Sequence, residues 1–512
     1  MMNKNSLLAL SVALLSAPSL SSAQLLVPSF GSIRQDALGR DSAAPRFIPA
    51  KYTTETGPAW QGDTVLGRMV PQPPPNLKQE QVAALIQALV DHERAATGKV
   101  TLSKQDVQAL VTRLVQIDTH FVDPVDAKKW DAITKAVAAE MNASYDKNKK
   151  WDGAVERGVV TAVTALKDPH TIYFNEAQLK AFMEMMKGSF VGIGAAIAED
   201  PKGLKLDFIY PDSGAEKAGI KAGDTIVEVN GASTAGQKPE EIAKKLRGDE
   251  GTTVSVTVER GGQKLPPMLV TRRTVKMPTA FSKSLPGGVG YVYWNQFGDD
   301  SDTVVLSHVR RLKANGAKSI ILDVRGNPGG LVTSVASIAS EFVKDGQEIV
   351  SFRRQGQVVF KHVAQGDGEF SDLPVAVLTD GGSASASEIL AATLQDQRKG
   401  YVVIGSQSYG KGTQQTILPG ADKGGLKITE SRWHRPNGGN IDAQHDTATG
   451  EKVPGTGGVT PDISVAVPED QAHKIAQQTA YDLMGRPAPN RVADPVLDKA
   501  VEVLSSATKT ST

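Results

Sequence analysis

Three serines and one lysine are the residues of this 512-residue chain whose types and spacing most favour catalysis. The serines fall in a glycine-rich stretch, residues 381–387, just before a segment with a helical pattern. Backbone N–H groups at a helix start can stabilise an oxyanion, although serine is also a common helix N-cap. Lys411 follows the next apolar run in a Gly-Lys-Gly turn. A buried lysine can act as a general base for serine, because desolvation favours its neutral form.

Other catalytic groups are disfavoured. The chain has no cysteine, which excludes thiol nucleophiles, thiolate zinc sites and iron–sulfur clusters. None of its eight histidines forms an HExxH or other close ligand pair, and the serine stretch lacks the G-x-S-x-G elbow of Ser-His-Asp hydrolases. We therefore expect no metal and no other cofactor. A Ser-His hydrolase acting on small esters remains the weakest of the alternatives.

Asp396 is the acidic residue that invites a triad with the serine stretch. It follows Ser385 by about three helical turns, which corresponds to about 16 Å at ~1.5 Å per residue. Direct contact is therefore not expected. We expect Asp396 to orient a neighbouring loop or to make a structural hydrogen bond.

Two successive strand–loop–helix units must position these residues. An apolar strand at residues 319–324 leads into a glycine loop at 325–330, and a strand at 375–378 leads into the serine stretch and a helix at 388–397. Apolar strands separated by helices indicate a mostly parallel sheet covered on both faces, with sites at the C-terminal ends of the strands. We therefore expect an α/β core over residues 276–467 in which both glycine loops meet at one site.

A β-rich module is predicted at residues 188–275. Glycine turns punctuate it, with strands expected at 225–229 and 253–258 and a short helix at 239–246. The order of these elements resembles a PDZ domain, which binds a C-terminal peptide by strand addition while a glycine loop takes the carboxylate. By that resemblance the carboxylate loop consists of Gly192, Ile193 and Gly194.

The first 75 residues predict export. Residues 1–23 have a charged start, an apolar run and small residues before the expected cleavage site after residue 23, as a cleaved secretory signal requires. Residues 24–75 are polar and end in a proline-rich stretch that favours an extended arm or linker. No cysteine near the cut could carry a lipid, so we expect a periplasmic or cell-envelope protein, soluble after signal cleavage and without a stable membrane anchor. A net charge of +1 without a basic block argues against nucleic-acid partners.

The remaining segments are predicted to be helical. Apolar residues repeat at i, i+3 and i+4 over residues 76–187, which predicts a helical domain there. Asn76 is the expected N-cap of its first helix, and Ser103 begins a capping box for the second. Residues 468–512 are expected to form a helical segment and a polar tail. The whole chain therefore reads as a multidomain α/β and α+β protein.

Six short motifs, taken in their order along the chain, indicate one protein family. They stand at residues 168–171, 323–331, 382–389, 394–396, 409–415 and 458–463. In this order they resemble the carboxyl-terminal processing proteases, also called tail-specific proteases. The resemblance implies a serine endopeptidase with a Ser-Lys dyad and an embedded PDZ domain.

The family resemblance also implies residue roles. It gives Ser385 as the nucleophile, Lys411 as the base and Gln415 as the group that positions the lysine. Its oxyanion-hole amides fall on Gly330 and Ala386. Its coupling arginine, which links PDZ position to the active site in some members, falls on Arg247.

Two functions from different classes are compatible with these residues. The first is an exported endopeptidase acting on proteins or peptides with a free, apolar C-terminus. The alternative is a PDZ-bearing scaffold with a closed or inactive protease core. Its basis is the long N-terminal arm and a Ser385 to Lys411 separation one residue longer than in the family. Either protein could form a homo-oligomer.

Overall fold

The computed structural model describes residues 76–186, 189–200, 203–276, 278–397, 400–420, 422–444, 452–453, 455–488 and 491–510. The predicted signal, residues 1–23, and the predicted arm, residues 24–75, lie outside the described residues. In the described part of the chain, no helix combines the length and apolar character needed to cross a bilayer.

The helices and strands occur in the following order within the described residues. The helices are Gln79–Thr97 (α1), Lys104–His120 (α2), Ala127–Asn148 (α3), Ala154–Thr164 (α4), Glu176–Met186 (α5), Gly214–Lys217 (α6), Pro239–Leu246 (α7), Ser301–Ala314 (α8), Val332–Ser340 (α9), Ala386–Gln397 (α10), Glu469–Leu483 (α11) and Pro495–Thr510 (α12). The strands are Ile172–Phe174 (β1), Ser189–Gly192 (β2), Ala195–Asp200 (β3), Gly203–Ile209 (β4), Thr225–Val229 (β5), Ala232–Ser233 (β6), Thr253–Arg260 (β7), Gln263–Lys264 (β8), Met268–Thr271 (β9), Arg273–Lys276 (β10), Ala280–Leu285 (β11), Val289–Trp294 (β12), Ser319–Asp323 (β13), Glu348–Arg354 (β14), Gln357–Val363 (β15), Val375–Thr379 (β16), Tyr401–Gly405 (β17), Thr413–Pro419 (β18), Gly425–His434 (β19) and Ile463–Ser464 (β20).

These elements form two compact units. The described residues of the helical unit are 76–176, 415–420 and 422–430. The sheet unit comprises the described residues from 177 to 414 and from 431 to 510. Residues 415–430, which the sequence assigned to the α/β core, thus group with the helices because β1 pairs antiparallel with the start of β19.

The helical unit largely follows the predicted pattern. The apolar stripe of α1 is buried, and the Ser103 side chain accepts the Asp106 N–H at the start of α2, as expected. The N-cap predicted for the first helix is wrong: α1 begins at Gln79, and its N-cap is Lys78 rather than Asn76. The Lys78 N–H donates to the Gln81 side chain, so a glutamine in the first turn supplies the capping acceptor.

An ion pair between the buried Arg113 and the partly buried Asp422 fixes residues 415–430 within the helical unit. Arg113 of α2 donates to the carboxylate of Asp422 at 2.5 Å and to the carbonyl oxygens of Leu418 and Gly424 at 2.9 Å. Burial by itself raises the pKa of Asp422, but hydrogen bonds from Arg113 and Tyr173 lower it overall. Asp422 therefore stabilises the fold in its ionised form.

The β-rich module in the sheet unit has the predicted elements. The expected strand at 225–229 and the expected helix at 239–246 are confirmed as β5 and α7. The hydrogen-bonded order of its main sheet is β3-β4-β5-β7-β8, which leaves β3 at one edge. Because an edge strand has unpaired backbone groups, β3 can accept a further strand.

The mostly parallel sheet predicted for the core is also confirmed. Its order is β11-β12-β13-β16-β17-β20, and only β11 pairs antiparallel with its neighbour among these strands. Helices α8, α9 and α10 cover one face, whereas α12 covers the other. The ends of β13 and β16 therefore deliver their loops to the same edge of the sheet.

The Arg113–Asp422 pair predicts a large stability cost for Arg113→Ala. We expect the free energy of unfolding at neutral pH to fall by about 3 kcal/mol, because the Asp422 carboxylate loses its cationic partner and keeps only the Tyr173 hydroxyl and the Gly424 N–H as donors. Urea unfolding measures the change. Since the native pKa of Asp422 is lowered, its contribution is complete above the unfolded pKa of about 3.9 and is lost as pH falls through the native value. The difference between wild type and variant should therefore shrink below about pH 4.

Arg94→Ala is the matched control, because Arg94 is exposed and lies 3.6 Å from the exposed Asp91. It should change the free energy of unfolding by less than about 0.5 kcal/mol. Equal effects of the two substitutions would contradict the role assigned to Arg113.

Candidate active site

The two glycine loops meet, as the sequence predicted. Strands β13 and β16 are parallel neighbours, with Ile320 opposite Val375. Beyond their ends, the carbonyl oxygen of Asn327 accepts the Ala384 N–H at 3.0 Å and the Ser387 hydroxyl at 2.8 Å. The loop after β13 thereby holds the serine loop after β16.

The structure distinguishes among the three serines. The Ser383 hydroxyl donates to the Val324 carbonyl oxygen at 2.7 Å, and the Ser387 hydroxyl donates to the Asn327 carbonyl oxygen. The hydroxyl oxygen of Ser385 is buried and has no hydrogen-bond partner among the described residues. Ser385 also has a φ of 55°, in the left-handed region that non-glycine residues rarely adopt. Strain and an unsatisfied hydroxyl are both typical of a functional residue.

Glu388 organises the site, and sequence reasoning missed this role. Its carboxylate accepts the Ser385 N–H at 2.8 Å, the Lys411 N–H at 2.9 Å, the Gly410 N–H at 2.6 Å and the Ser408 hydroxyl at 2.5 Å. Burial raises the pKa of Glu388, and the four donors oppose this rise by favouring the ionised form. A signal was present, because a glutamate three residues after a serine at a helix start is a capping-box pattern.

Lys411 is held beside the serine loop through its backbone. Its N–H and that of Ser385 share one oxygen, Oε2 of Glu388. Its carbonyl accepts the indole N–H of Trp433 at 2.8 Å. Ser385 and Lys411 are each only 1% exposed. Ser385 and Lys411 are thus both anchored through their backbone to a common carboxylate and are shielded from solvent.

The glycines of the first loop permit a close approach to Ser385. A Cβ on Gly329 would lie 2.8 Å from the Ser385 Cβ, and one on Gly330 would lie 2.1 Å from the Phe297 carbonyl oxygen. Any larger residue would push the loops apart. Among the described residues, no acceptor is found for the N–H of Gly330 or of Ala386, the first residue of α10. Both amides are therefore available to an oxyanion.

Two further polar residues singled out in the sequence have hydrogen-bond partners of their own. Gln415 belongs to the helical unit, where its side chain is buried and donates to the Thr429 hydroxyl at 3.2 Å. Asp396 binds the guanidinium of Arg435 at 2.7 and 2.8 Å and accepts the Asn437 N–H. Its expected structural role is thus confirmed. No described histidine forms a hydrogen bond with the Ser385 hydroxyl.

The predicted carboxylate loop lies in the β-rich module. The carbonyl oxygens of Ile193 and Gly194 accept the N–H groups of Ala215 and Tyr210 at 2.7 and 3.0 Å. Gly194 has a φ of 79°, and a Cβ there would lie 2.2 Å from the Ser213 Cβ, so glycine is required. Arg247 is exposed at the C-terminal end of α7.

Comparison with known proteins places the chain in a family. A model of peptidase family S41 matches residues 288–465, and a PDZ-domain model matches residues 209–260. Over 351 residues the chain is 30% identical to a probable CtpA-like serine protease of Staphylococcus haemolyticus, covering 67% of this chain and 68% of that relative. Over 341 residues it is 31% identical to a probable CtpA-like serine protease of Staphylococcus aureus, covering 66% and 65%. The chain thus spans about two thirds of the length of these relatives.

Among solved structures, the chain is similar to a photosystem II D1 C-terminal processing protease. The sequence identity is 24%, the TM-score is 0.44, and the match covers 76% of this chain and 98% of that one.

The shared carboxylate predicts that Glu388→Gln destabilises the sheet unit. An amide retains one acceptor oxygen but turns two N–H donors towards the buried donors. We expect a loss of about 2–4 kcal/mol in the free energy of unfolding. Each buried donor or acceptor left without a hydrogen-bond partner costs about 1–3 kcal/mol. Urea unfolding and hydrogen exchange at the Ser385 and Lys411 amides measure the effect.

The exposed Glu241 of α7 offers the control, because Glu241→Gln removes the same charge without touching a buried donor. Unchanged exchange at both amides in Glu388→Gln would refute the anchoring role of the carboxylate.

Proposed function

Because this chain belongs to peptidase family S41 and is a serine-type peptidase, we propose that it is an endopeptidase that cleaves proteins. Ser385 and Lys411 form its catalytic dyad, and its PDZ domain captures the C-terminal tail of the substrate before cleavage. The resemblance to the carboxyl-terminal processing proteases is confirmed by the family and relative matches. The observation that carries the dyad is the single carboxylate of Glu388, which receives the N–H groups of both residues.

The proposed chemistry is acyl transfer through Ser385. The Lys411 amine takes the hydroxyl proton while Ser385 Oγ attacks the carbonyl carbon of the scissile peptide. The backbone N–H groups of Gly330 and Ala386 donate to the oxyanion of the tetrahedral intermediate. Lys411 returns the proton to the leaving nitrogen as the C–N bond breaks. Water then attacks the acyl-enzyme, again with Lys411 as the base, and restores the serine hydroxyl.

The dyad requires a neutral amine, and two features support this. Lys411 is buried, and desolvation favours the uncharged form of an amine. The carboxylate nearest to its backbone, Glu388, is already saturated by four donors. We assign Gln415 to the positioning of the lysine on the family resemblance, since it follows four residues later.

Tail recognition is assigned to the PDZ domain. Its edge strand β3 can pair with an extended peptide, and the loop Gly192–Gly194 that precedes β3 would bind the terminal carboxylate through backbone N–H groups. Backbone pairing places few demands on sequence, so we expect apolar tails to be accepted. Arg247 is exposed on the same domain and is proposed to couple its position to the dyad.

Export completes the proposal. Residues 1–23 have the pattern of a secretory signal, and an enzyme of this kind would act on proteins of the periplasm or cell envelope.

A second candidate function follows from the burial of the site. Ser385 is 1% exposed and its hydroxyl oxygen is buried, so a substrate can reach it only if the site opens. A chain that stays closed would act as a scaffold that binds tails without cutting them. Purified wild type that binds peptides with a free C-terminus, yet never cleaves them, would support this function.

Substitution of either member of the dyad should abolish cleavage. We expect Ser385→Ala and Lys411→Ala each to lower kcat/KM on a fluorescently labelled unfolded protein by a factor of at least about 10³. Wild-type activity should rise with pH, because the base is the neutral amine. Ser387→Ala is the matched control: its hydroxyl donates to Asn327, so cleavage should survive with a stability loss of about 1 kcal/mol. Cleavage by Lys411→Ala at the wild-type rate would exclude lysine as the base.

Tail capture is tested with two substrates of identical sequence, one with a free C-terminus and one amidated. Loss of the carboxylate should lower kcat/KM about tenfold or more, which corresponds to about 1.4 kcal/mol or more. Binding to the Ser385→Ala chain, measured by fluorescence anisotropy, should weaken by a similar factor. Equal kinetics for the two substrates would show that the terminal carboxylate is not recognised.

A further inference from the structure

A cavity of about 380 Å³ lies in the sheet unit, and Ser385 is not among its lining residues. It opens at the C-terminal ends of β12, β13 and β16, on the sheet face that α12 covers, whereas α10 covers the opposite face. Its apolar wall is formed by Val465, Val467, Ile475, Leu483, Met484 and Val496. Its volume falls in the range of small-ligand sites, about 300–1,000 Å³.

The floor of this cavity carries an excess of negative charge. Arg325 donates to the carboxylates of Asp323 at 2.6 Å and of Asp494 at 2.8 Å, so one guanidinium already serves two acids. Asp380 adds a third carboxyl group, and a cation beside it would oppose the rise in its pKa that burial causes. A cation in the cavity would balance this charge.

Three polar side chains on the floor lack a partner at one atom. Tyr293 is only 8% exposed, and no described residue forms a hydrogen bond with its hydroxyl. Asp380 uses Oδ1 to accept the N–H groups of Gly326 and Gly382, but no described residue donates to its Oδ2. Asn295 has a buried Oδ1 without a hydrogen-bond partner among the described residues. Two of the three atoms are acceptors, so the complementary ligand group is a donor, and an ammonium group brings three N–H donors.

The residues that line the cavity also connect to the carboxylate loop of the PDZ domain and to the serine loop. Tyr210 lines it from the PDZ domain, and the Tyr210 N–H donates to the Gly194 carbonyl oxygen in the carboxylate loop at 3.0 Å. Asp380 lines it from the loop that leads to Ser385, and the Gly382 N–H donates to its carboxylate at 2.9 Å. Cleavage at Ser385 would create a new α-ammonium group on the C-terminal fragment.

We propose that this cavity binds the ammonium end of an apolar peptide, and that its ligand is the C-terminal fragment released by cleavage. Asp380, Tyr293 and Asn295 bind the α-ammonium group, and the apolar wall binds the first side chains. The identity of the ligand as a cleavage fragment rests on the proposed function, whereas the ammonium site itself does not. Such a site would retain the product until its amine leaves the cavity.

Isothermal titration of the full chain carrying Ser385→Ala tests the proposal. The probes are leucyl-leucine amide, its N-acetylated form, and acetyl-leucyl-lysine amide. The free α-amine should bind at least tenfold more tightly than either acetylated peptide. Equal binding of the first two probes, or no binding of any, would overturn the proposal. Binding of the lysine probe as tight as that of the α-amine would assign the site to side-chain ammonium groups and overturn the α-ammonium assignment.

Two variants locate the site. Asp380→Asn and Tyr293→Phe should each weaken binding of the α-amine probe at least fivefold, whereas Asp299→Asn, at an exposed carboxylate, should not. Tyr293→Phe removes only a hydroxyl without a described partner, so thermal unfolding should match that of the parent chain and exclude misfolding. Unchanged binding in both variants would place the ligand elsewhere. All three probes lack a terminal carboxylate and are tested without the nucleophile, so failure of cleavage or of tail capture would leave this result intact.

Discussion

The carboxylate of Glu388 is buried among donors from two separate segments of the chain, residue 385 and residues 408–411. Removing a carboxylate from water costs several kcal/mol, and each charge-assisted hydrogen bond returns about 1.5–3 kcal/mol. Four such bonds offset that cost only while Ser385, Ser408, Gly410 and Lys411 stay where they are. The geometry of the site is therefore determined by a charge that takes no part in the proposed chemistry.

The parallel sheet supplies the second constraint. Since β13 and β16 run side by side in the same direction, their loops leave at one edge, and glycines at 329 and 330 let the loops touch. Ser385 can then be held in a left-handed conformation that an isolated loop would not keep. The strain at the serine is balanced by hydrogen bonds that the serine loop donates to the Asn327 carbonyl of the neighbouring loop.

Local patterns predicted much of this from the sequence. Continuous apolar runs flanked by glycine predicted β13 and β16, and the resemblance to a known family implied the roles proposed for Ser385 and Lys411. Glu388 was missed because its partners at 408–411 are about twenty residues away, and hydrogen bonds across a fold leave no periodic signal. The position of residues 415–430 was missed for the same reason, since the pairing of β1 with β19 joins segments more than 250 residues apart.

That long-range pairing has a consequence for synthesis. The helices of the helical unit leave the ribosome before the sheet unit, yet their core includes Leu426 and Ile428, which are made more than about 250 residues later. Closing so long a loop costs only slightly more entropy than closing a shorter one, but non-local pairing slows folding. The unit made first is thus among the last to be completed, and Gln415 reaches its place only with that final step.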